Sequence, residues 1–164
     1  EAVQCEDADY VLVTLGSAAG LVRTVVESLR AQGLRVGLLR IRYLRPLPTV
    51  VLAAALGNAK AVAVLEKDVS FGAEGTVFTN VNSALQQAGV RVPTYDFIGG
   101  LGGDDIMPVQ VEAIFRTLVR FVSEGAEVPR VSFLGIDGTP GDAASAASPK
   151  DLASDACRDV KEEN

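Results

Sequence analysis

Residues 10–33 have the sequence YVLVTLGSAAGLVRTVVESLRAQG, which contains one complete strand–turn–helix unit. The apolar run at residues 10–15 predicts a buried strand, and the glycine after it predicts a turn. The apolar residues beyond that turn recur at the spacing of one helix face: Leu21, Val22, Val25, Val26 and Leu29. Gly33 predicts the end of the helix, because glycine readily adopts the left-handed conformation common just past helix ends.

The same unit recurs along the chain. Further apolar runs predict strands at residues 36–41, 61–65 and 92–98, and residues 130–136 are a candidate for one more. Strand starts roughly 25–30 residues apart fit right-handed βαβ units, whose strands run parallel. The predicted fold class is therefore α/β, with a three-layer α/β/α sandwich around a mainly parallel sheet.

Capping residues and composition predict the boundaries of elements and of the domain. Thr49 is a candidate N-cap for a short helix that ends at Gly57, and Pro108 suits the first turn of the last helix. Residues 1–136 form the predicted domain. Beyond it, glycine, proline, alanine, serine and charged residues replace the periodic apolar ones, so residues 137–164 are predicted to be an acidic tail or a linker.

Composition and charge exclude several classes of protein. The chain has 164 residues, 48% of them hydrophobic, which is enough for one domain with a proper core. The net charge is −6 and no basic stripe exists, which argues against nucleic-acid binding. No apolar run reaches the length of about 18 residues that a membrane-spanning helix needs, and no signal peptide opens the chain. We therefore expect a cytoplasmic protein without nucleic-acid or membrane partners.

Cysteine and histidine usage limits the chemistry. The chain has no histidine, which excludes Ser–His and Cys–His catalytic groups and imidazole metal sites. Its two cysteines, Cys5 and Cys157, are too few for an iron–sulfur cluster, which usually takes four. They fit a reducing compartment, and a single bridge between them is an open alternative.

Residues 16–20, GSAAG, lie between the first strand and its helix. One interpretation is the anion site of a flavodoxin-like module, in which free backbone N–H groups and the helix dipole face a phosphate. The motif lacks the middle glycine of a dinucleotide-binding loop and the lysine of a P-loop. We favour the alternative, a tight turn in which Ser17 caps the helix.

Acidic and glycine-rich segments follow the third and fourth predicted strands. Glu66, Lys67 and Asp68 come directly after one strand, and residues 99–105, GGLGGDD, come after the next. The carboxylates could act as acid and base at the carboxyl end of the sheet, where α/β proteins bind ligands, or they could cap helices on a solvated edge. The clustered glycines indicate either close backbone approach to a partner or simple flexibility.

Four motifs in order resemble a known family: VTLGS at 13–17, RYLRPLP at 42–48, AVLEKDVSFGAEG at 63–75 and FIGGLGGDDI at 97–106. Residues 8–122 resemble domain II of pyruvate:ferredoxin oxidoreductases and related 2-oxoacid:ferredoxin oxidoreductases, and more distantly the C-terminal domain of transketolase-like enzymes. The resemblance implies an α/β/α sandwich with a five-stranded, mostly parallel sheet. It also implies a domain that helps to assemble the large subunit and its dimer.

The resemblance further implies where the cofactors lie. In such an enzyme other domains bind thiamine diphosphate with Mg²⁺, the iron–sulfur clusters and coenzyme A, and ferredoxin accepts the electrons. This chain has neither a GDG motif followed by a distant NN pair nor a cysteine cluster. We therefore expect it to bind no cofactor and to carry no catalytic or metal-binding residue. Its expected partners are other domains or subunits of the same homo-oligomeric oxidoreductase; a transketolase-type domain and an interaction domain with a regulatory tail are the alternatives.

Positions that match the family motifs are interpreted as interface residues. They come from the turn after the second predicted strand and from loops 66–75 and 99–105. They are Arg45, Glu66, Gly72, Glu74, Gly75, Gly99, Gly100, Gly102, Gly103, Asp104 and Asp105. Both loops follow neighbouring parallel strands, so we expect them to form one surface whose carboxylates seek arginine or lysine on a partner.

Two residues depart from the family pattern. Asp104 stands where relatives often have a basic residue, which reverses the local charge. Met107 stands where relatives often have a serine or threonine cap, and its side chain has no oxygen with which to cap the following helix.

Overall fold

Strands alternate with helices along most of the computed structural model, which describes residues 1–135. The strands are β1 (Ala2–Val3), β2 (Tyr10–Leu15), β3 (Val36–Ile41), β4 (Ala61–Glu66), β5 (Thr94–Ile98) and β6 (Val131–Phe133). The helices are α1 (Ala18–Ala31), α2 (Thr49–Leu56), α3 (Thr76–Gln87) and α4 (Pro108–Glu124), with a short 3₁₀ turn at Leu101–Gly103. The sheet order is β1-β3-β2-β4-β5-β6.

The strand count corrects the expectation of five. Strands β2 to β6 are parallel, as predicted, but β1 adds a sixth, antiparallel strand beside β3. Two residues among polar neighbours carry no periodic pattern, so the sequence cannot reveal this strand. Strand β5 begins at Thr94 rather than at residue 92. Pro93, which has no N–H, lies just before it and accepts a hydrogen bond from the Val62 amide at 2.8 Å.

The two faces of the sheet carry separate apolar clusters, because successive side chains of a strand point to opposite faces. One cluster packs the sheet against α1 and α4 and includes Leu12, Leu29, Leu38, Phe97, Phe115 and Leu118. The other packs it against α2 and α3 and includes Val13, Leu56, Val64, Phe78 and Val81. The three-layer α/β/α sandwich is therefore confirmed.

Helix starts differ from the predicted capping in two places. Thr49 is the first residue of α2 and Pro48 occupies the cap position, so the Thr49 cap is wrong. Ser17 occupies the cap position of α1 but makes no side-chain capping bond. Pro108 does open α4, and the Gln110 side chain accepts a hydrogen bond from the Met107 amide at 2.8 Å. Gln110 thus satisfies a backbone donor at a helix start where Met107 offers no side-chain oxygen.

The predicted acidic tail and the Cys5–Cys157 alternative fall on residues 137–164, outside the described part of the chain. Cys5 is buried, and its thiol donates a hydrogen bond to the Leu38 carbonyl oxygen at 3.2 Å. Within residues 1–135 no helix combines the length and the apolar character that a membrane crossing requires.

Candidate functional site

The loops after β4 and β5 leave the sheet side by side. Glu66 and Ile98 are paired in the parallel register of these strands, and the Gly99 amide donates to the Glu66 carbonyl oxygen at 3.0 Å. A Cβ atom on Gly100 would lie 2.6 Å from the Lys67 side chain. Loops 66–75 and 99–105 are therefore neighbours at the carboxyl end of the sheet, and this part of the prediction is confirmed.

The Glu66 side chain caps the N-terminus of α3. It is buried, and its Oε2 and Oε1 atoms accept hydrogen bonds from the Val77 and Phe78 amides, each at 2.8 Å. Burial raises the pKa of Glu66 above its usual value, and the two amide bonds oppose that rise. The helix-capping interpretation is confirmed for this residue. We expected Glu66 to bind an arginine or lysine of a partner. Its two carboxylate oxygens instead face the start of α3 and accept hydrogen bonds within the chain.

Asp96 was missed by the sequence analysis. It lies in β5 inside an apolar run, it is fully buried, and its Oδ2 atom accepts a hydrogen bond from the Gly75 amide at 2.7 Å. Its Oδ1 atom has no hydrogen-bond partner among residues 1–135. Burial raises the pKa of Asp96 to about 7; the Gly75 amide opposes that rise, and the Glu66 and Glu74 carboxyl groups add to it.

Position 75 requires glycine because the neighbouring Glu66 carboxyl group leaves no room for a side chain. Its φ of −68° suits any residue, but a Cβ atom would collide with the Glu66 carboxyl group. Gly75 is buried at the base of loop 66–75, whereas Gly72 is exposed with a φ of +71°. Only Gly72 of this pair is accessible on the surface of the described chain.

Glu74 is held by an arginine that the sequence analysis also missed. The Arg130 Nε atom donates to Glu74 Oε2 at 2.9 Å, and this contact holds the pKa of Glu74 below its usual value. The Arg130 guanidinium also lies 5.0 Å from the centre of the Phe78 ring. Arg130 precedes β6, so this pair ties loop 66–75 to the edge strand.

The loop at residues 99–105 leaves two carboxylates exposed. Gly100, Gly102 and Gly103 have φ angles of +72°, +66° and +90°. The turn therefore requires glycine at these positions, because other residues rarely adopt such angles. Asp104 and Asp105 are exposed, and neither forms an ion pair with any residue of the described chain. Gly99 is buried, and a Cβ there would lie 2.8 Å from the Leu134 side chain. Asp104 and Asp105 are thus the carboxylates of this loop that a partner could reach.

An apolar crevice of about 400 Å³ opens between the carboxyl ends of β2 and β4. The order of the parallel strands reverses between these two, and open α/β sheets bind ligands at such a point. The aliphatic side chains that line the crevice are Leu15, Leu44, Leu65, Val77 and Ile106, and the charged ones are Glu66, Lys67 and Asp68. Arg45 is exposed in the turn that follows β3.

Large apolar side chains surround this edge of the sheet. Phe71 is fully exposed in loop 66–75, and Leu101 and Met107 are partly exposed in and after loop 99–105. We define the carboxyl-end surface as loops 67–74 and 100–107. It combines exposed apolar side chains with exposed carboxylates, a mixture typical of interfaces.

Comparison with known proteins identifies the family. Residues 8–111 match the model of pyruvate:ferredoxin oxidoreductase core domain II. The chain belongs to this family. It is 41% identical over 116 residues to pyruvate synthase subunit PorA of Methanothermobacter thermautotrophicus, covering 71% of this chain and 29% of that one. It is 40% identical over 120 residues to ketoisovalerate oxidoreductase subunit VorA of Pyrococcus horikoshii, covering 73% of this chain and 30% of that one.

This core domain II also shares its fold with a solved enzyme. The 2-oxoglutarate:ferredoxin oxidoreductase from Magnetococcus marinus, with 2-oxoglutarate, coenzyme A and succinyl-CoA bound, aligns with a TM-score of 0.54 at 23% identity. The alignment covers 69% of this chain and 18% of that one. The chain thus spans under a third of the length of each of these three proteins.

The described part of core domain II does not fit a metal cluster. Residues 1–135 contain no group of three or more histidine, cysteine, aspartate or glutamate side chains arranged to hold a metal ion. The cysteine that they contain, Cys5, is buried and bonded to backbone carbonyls.

Proposed function

We propose that this chain is the assembly domain of a thiamine-dependent 2-oxoacid:ferredoxin oxidoreductase that acts on pyruvate. That enzyme decarboxylates the 2-oxoacid oxidatively, forms an acyl-CoA and reduces ferredoxin. Thiamine diphosphate with Mg²⁺, the iron–sulfur clusters and coenzyme A are held by its other parts. The observation that carries the proposal is the match of residues 8–111 to core domain II of this family.

The proposed role in assembly rests on the carboxyl-end surface. Phe71 has no cover within the described chain, and contiguous exposed apolar groups of this kind mark interaction sites. Asp104 and Asp105 in the neighbouring loop are exposed and form no ion pair within the described chain. A partner that covers this surface would place an apolar pocket over Phe71 and arginine or lysine opposite the two carboxylates.

The occupant that we propose is another part of the same oxidoreductase. The relatives are about three times as long as the region that this chain matches, so most of each relative lies outside that region. The crevice between β2 and β4 adjoins the carboxyl-end surface, because Lys67 and Ile106 contribute to both. The partner is therefore expected to insert an apolar side chain into the crevice.

The test changes the carboxyl-end surface without disturbing the fold. Phe71→Ser removes the exposed ring, and Asp104→Lys with Asp105→Lys reverses the charge of the second loop. Each variant would be co-expressed with the other subunits of the oxidoreductase, and the native mass and 2-oxoacid-dependent ferredoxin reduction of the purified complex would be measured. We expect loss of assembly of at least tenfold, since truncating a buried aromatic anchor costs about 2 kcal/mol or more of binding energy.

Val122→Ser is the matched control. Val122 is a partly exposed apolar residue near the end of α4, away from both loops. It should assemble like wild type. If the Phe71 and Asp104/Asp105 variants also assembled like wild type, the carboxyl-end surface would not be the interface. Substitutions at Gly100 and Gly102 are unsuitable probes, because their positive φ angles would strain any other residue.

A further inference from the structure

Two buried carboxyl groups meet at the start of α3. Asp96 is paired with Val64 in the register of β4 and β5, and Glu66 lies two residues beyond Val64, so both side chains point to the same face of the sheet. Their exposed fractions are 0% and 4%. Two carboxylates sharing a buried site cannot both ionise without a large cost.

The hydrogen bonds around the pair leave one position open. Three backbone amides point at it: Gly75 donates to Asp96, and Val77 and Phe78 donate to Glu66. Asp96 Oδ1 is buried and has no hydrogen-bond partner in the part of the chain that the structure describes. Each Glu66 oxygen accepts one amide hydrogen and retains a second lone pair. The Asp96 and Glu66 side chains lie within hydrogen-bond reach of each other, so a proton on Asp96 would find an acceptor in Glu66 and would satisfy the open position.

We propose that the Asp96 carboxyl group stays protonated in the folded chain up to about neutral pH, that its O–H donates a hydrogen bond to the Glu66 carboxylate, and that Asp96 so acts as the positioning residue that holds loop 67–74 against the start of α3. Loss of that proton places two carboxylates side by side and loosens the loop. This loop is half of the carboxyl-end surface. The consequence for assembly therefore rests on the proposed function, whereas the proton itself does not.

The charged groups that face Asp96 come from three neighbouring segments. Glu66 is contributed by β4, Glu74 by the loop before α3, and Arg130 by the segment before β6. Glu74 is already paired with Arg130, so this arginine is not free to neutralise Asp96. Helix α3 itself contributes only amides to the pair. Glu66 is thus the acceptor that the fold provides.

The direct test is a carboxyl titration by NMR of the full 164-residue chain with ¹³C-labelled aspartate. We expect the Asp96 carboxyl carbon to titrate near pH 7, as burial raises the pKa of this group to about that value. The amide signals of Gly75, Val77 and Phe78 should shift with the same midpoint. An Asp96 midpoint near the ordinary value of about 4 would overturn the proposal.

Hydrogen exchange tests the positioning role. After correction for intrinsic exchange, protection of the Val77 and Phe78 amides should fall about tenfold for each pH unit between about pH 5 and 7, because opening releases one proton. In Asp96→Asn the side-chain amide donates to Glu66 permanently, so the dependence should vanish. Glu27→Gln, a change to an exposed carboxylate of α1 on the opposite face of the sheet, should leave it as in wild type.

The outcomes separate this inference from the proposed function. Equal pH dependence in wild type and Asp96→Asn would overturn the positioning role, whether or not the chain assembles. Both experiments use the chain alone and need no partner. If variants of the carboxyl-end surface assembled normally while Asp96 titrated near pH 7, only the proposed function would be contradicted.

Discussion

Asp96→Asn should make the protein more stable at pH 8 and should flatten the dependence of its stability on pH. In wild type the folded state holds a proton on Asp96 that the unfolded state releases above about pH 4, since the pKa of this group rises from 3.8 to about 7 on folding. The free energy of unfolding therefore falls as the pH rises through this window and levels off above pH 7. A rise of roughly three pKa units corresponds to a loss on the order of 4 kcal/mol.

Asparagine mimics the protonated carboxyl group. Its oxygen can still accept from Gly75, and its NH₂ group can donate to Glu66 without any proton to lose. Urea unfolding of both proteins, followed by circular dichroism at several pH values between 5 and 8, measures the difference. The two free energies should agree within about 1 kcal/mol at low pH and diverge in favour of the variant as the pH rises. An Asp96→Asn protein that is less stable than wild type at pH 8 would refute the reasoning.

Further substitutions test the packing at this site and on the opposite face of the sheet. Gly75→Ala should destabilise the fold by about 1–3 kcal/mol in urea melts, because the added Cβ would collide with the Glu66 carboxyl group. Gly20→Ala is the control: this glycine lies in α1 with open space around it, so the change should be neutral or stabilising by up to about 1 kcal/mol. Arg130→Met should cost less than about 1 kcal/mol, and the cost should shrink in high salt, because the Arg130 side chain of its ion pair with Glu74 is 63% exposed; a larger cost would show that the pair is structural. Phe115→Ala, on the buried face of α4, should lower the free energy of unfolding by about 3–5 kcal/mol, and a loss below about 1 kcal/mol would contradict its packing.

Local sequence patterns predict most of the fold. Strands β2 and β3 have the predicted bounds, 10–15 and 36–41, because buried parallel strands are continuous apolar runs between turns. Helix α1 and the glycine at residue 33 also follow from periodicity and from the left-handed conformation after a helix. Strand β1 escapes prediction, because its two residues gain their structure only from pairing with β3.

The site is less predictable, because it depends on contacts between distant residues. Gly75 is 21 residues from Asp96 along the chain, and the register of β4 and β5 brings Glu66 to the same face. A single aspartate in an apolar run carries no signal of a buried partner. The adjacency of the two loops was predictable from parallel topology alone. The sequence could not show which carboxylates face inward, because Glu66 could have pointed into solvent as readily as toward the amides at the start of α3.

If, as we propose, this chain is a non-catalytic part of a 2-oxoacid:ferredoxin oxidoreductase, it should purify together with the rest of that enzyme. The measurement is affinity purification through a tag on this chain from the cells that produce it, followed by the native mass and by the coenzyme A-dependent reduction of ferredoxin with pyruvate. We expect a large complex that catalyses this reaction and an isolated 164-residue chain that does not. Turnover by the isolated chain, or a tagged chain that purifies without other subunits and without activity, would contradict it.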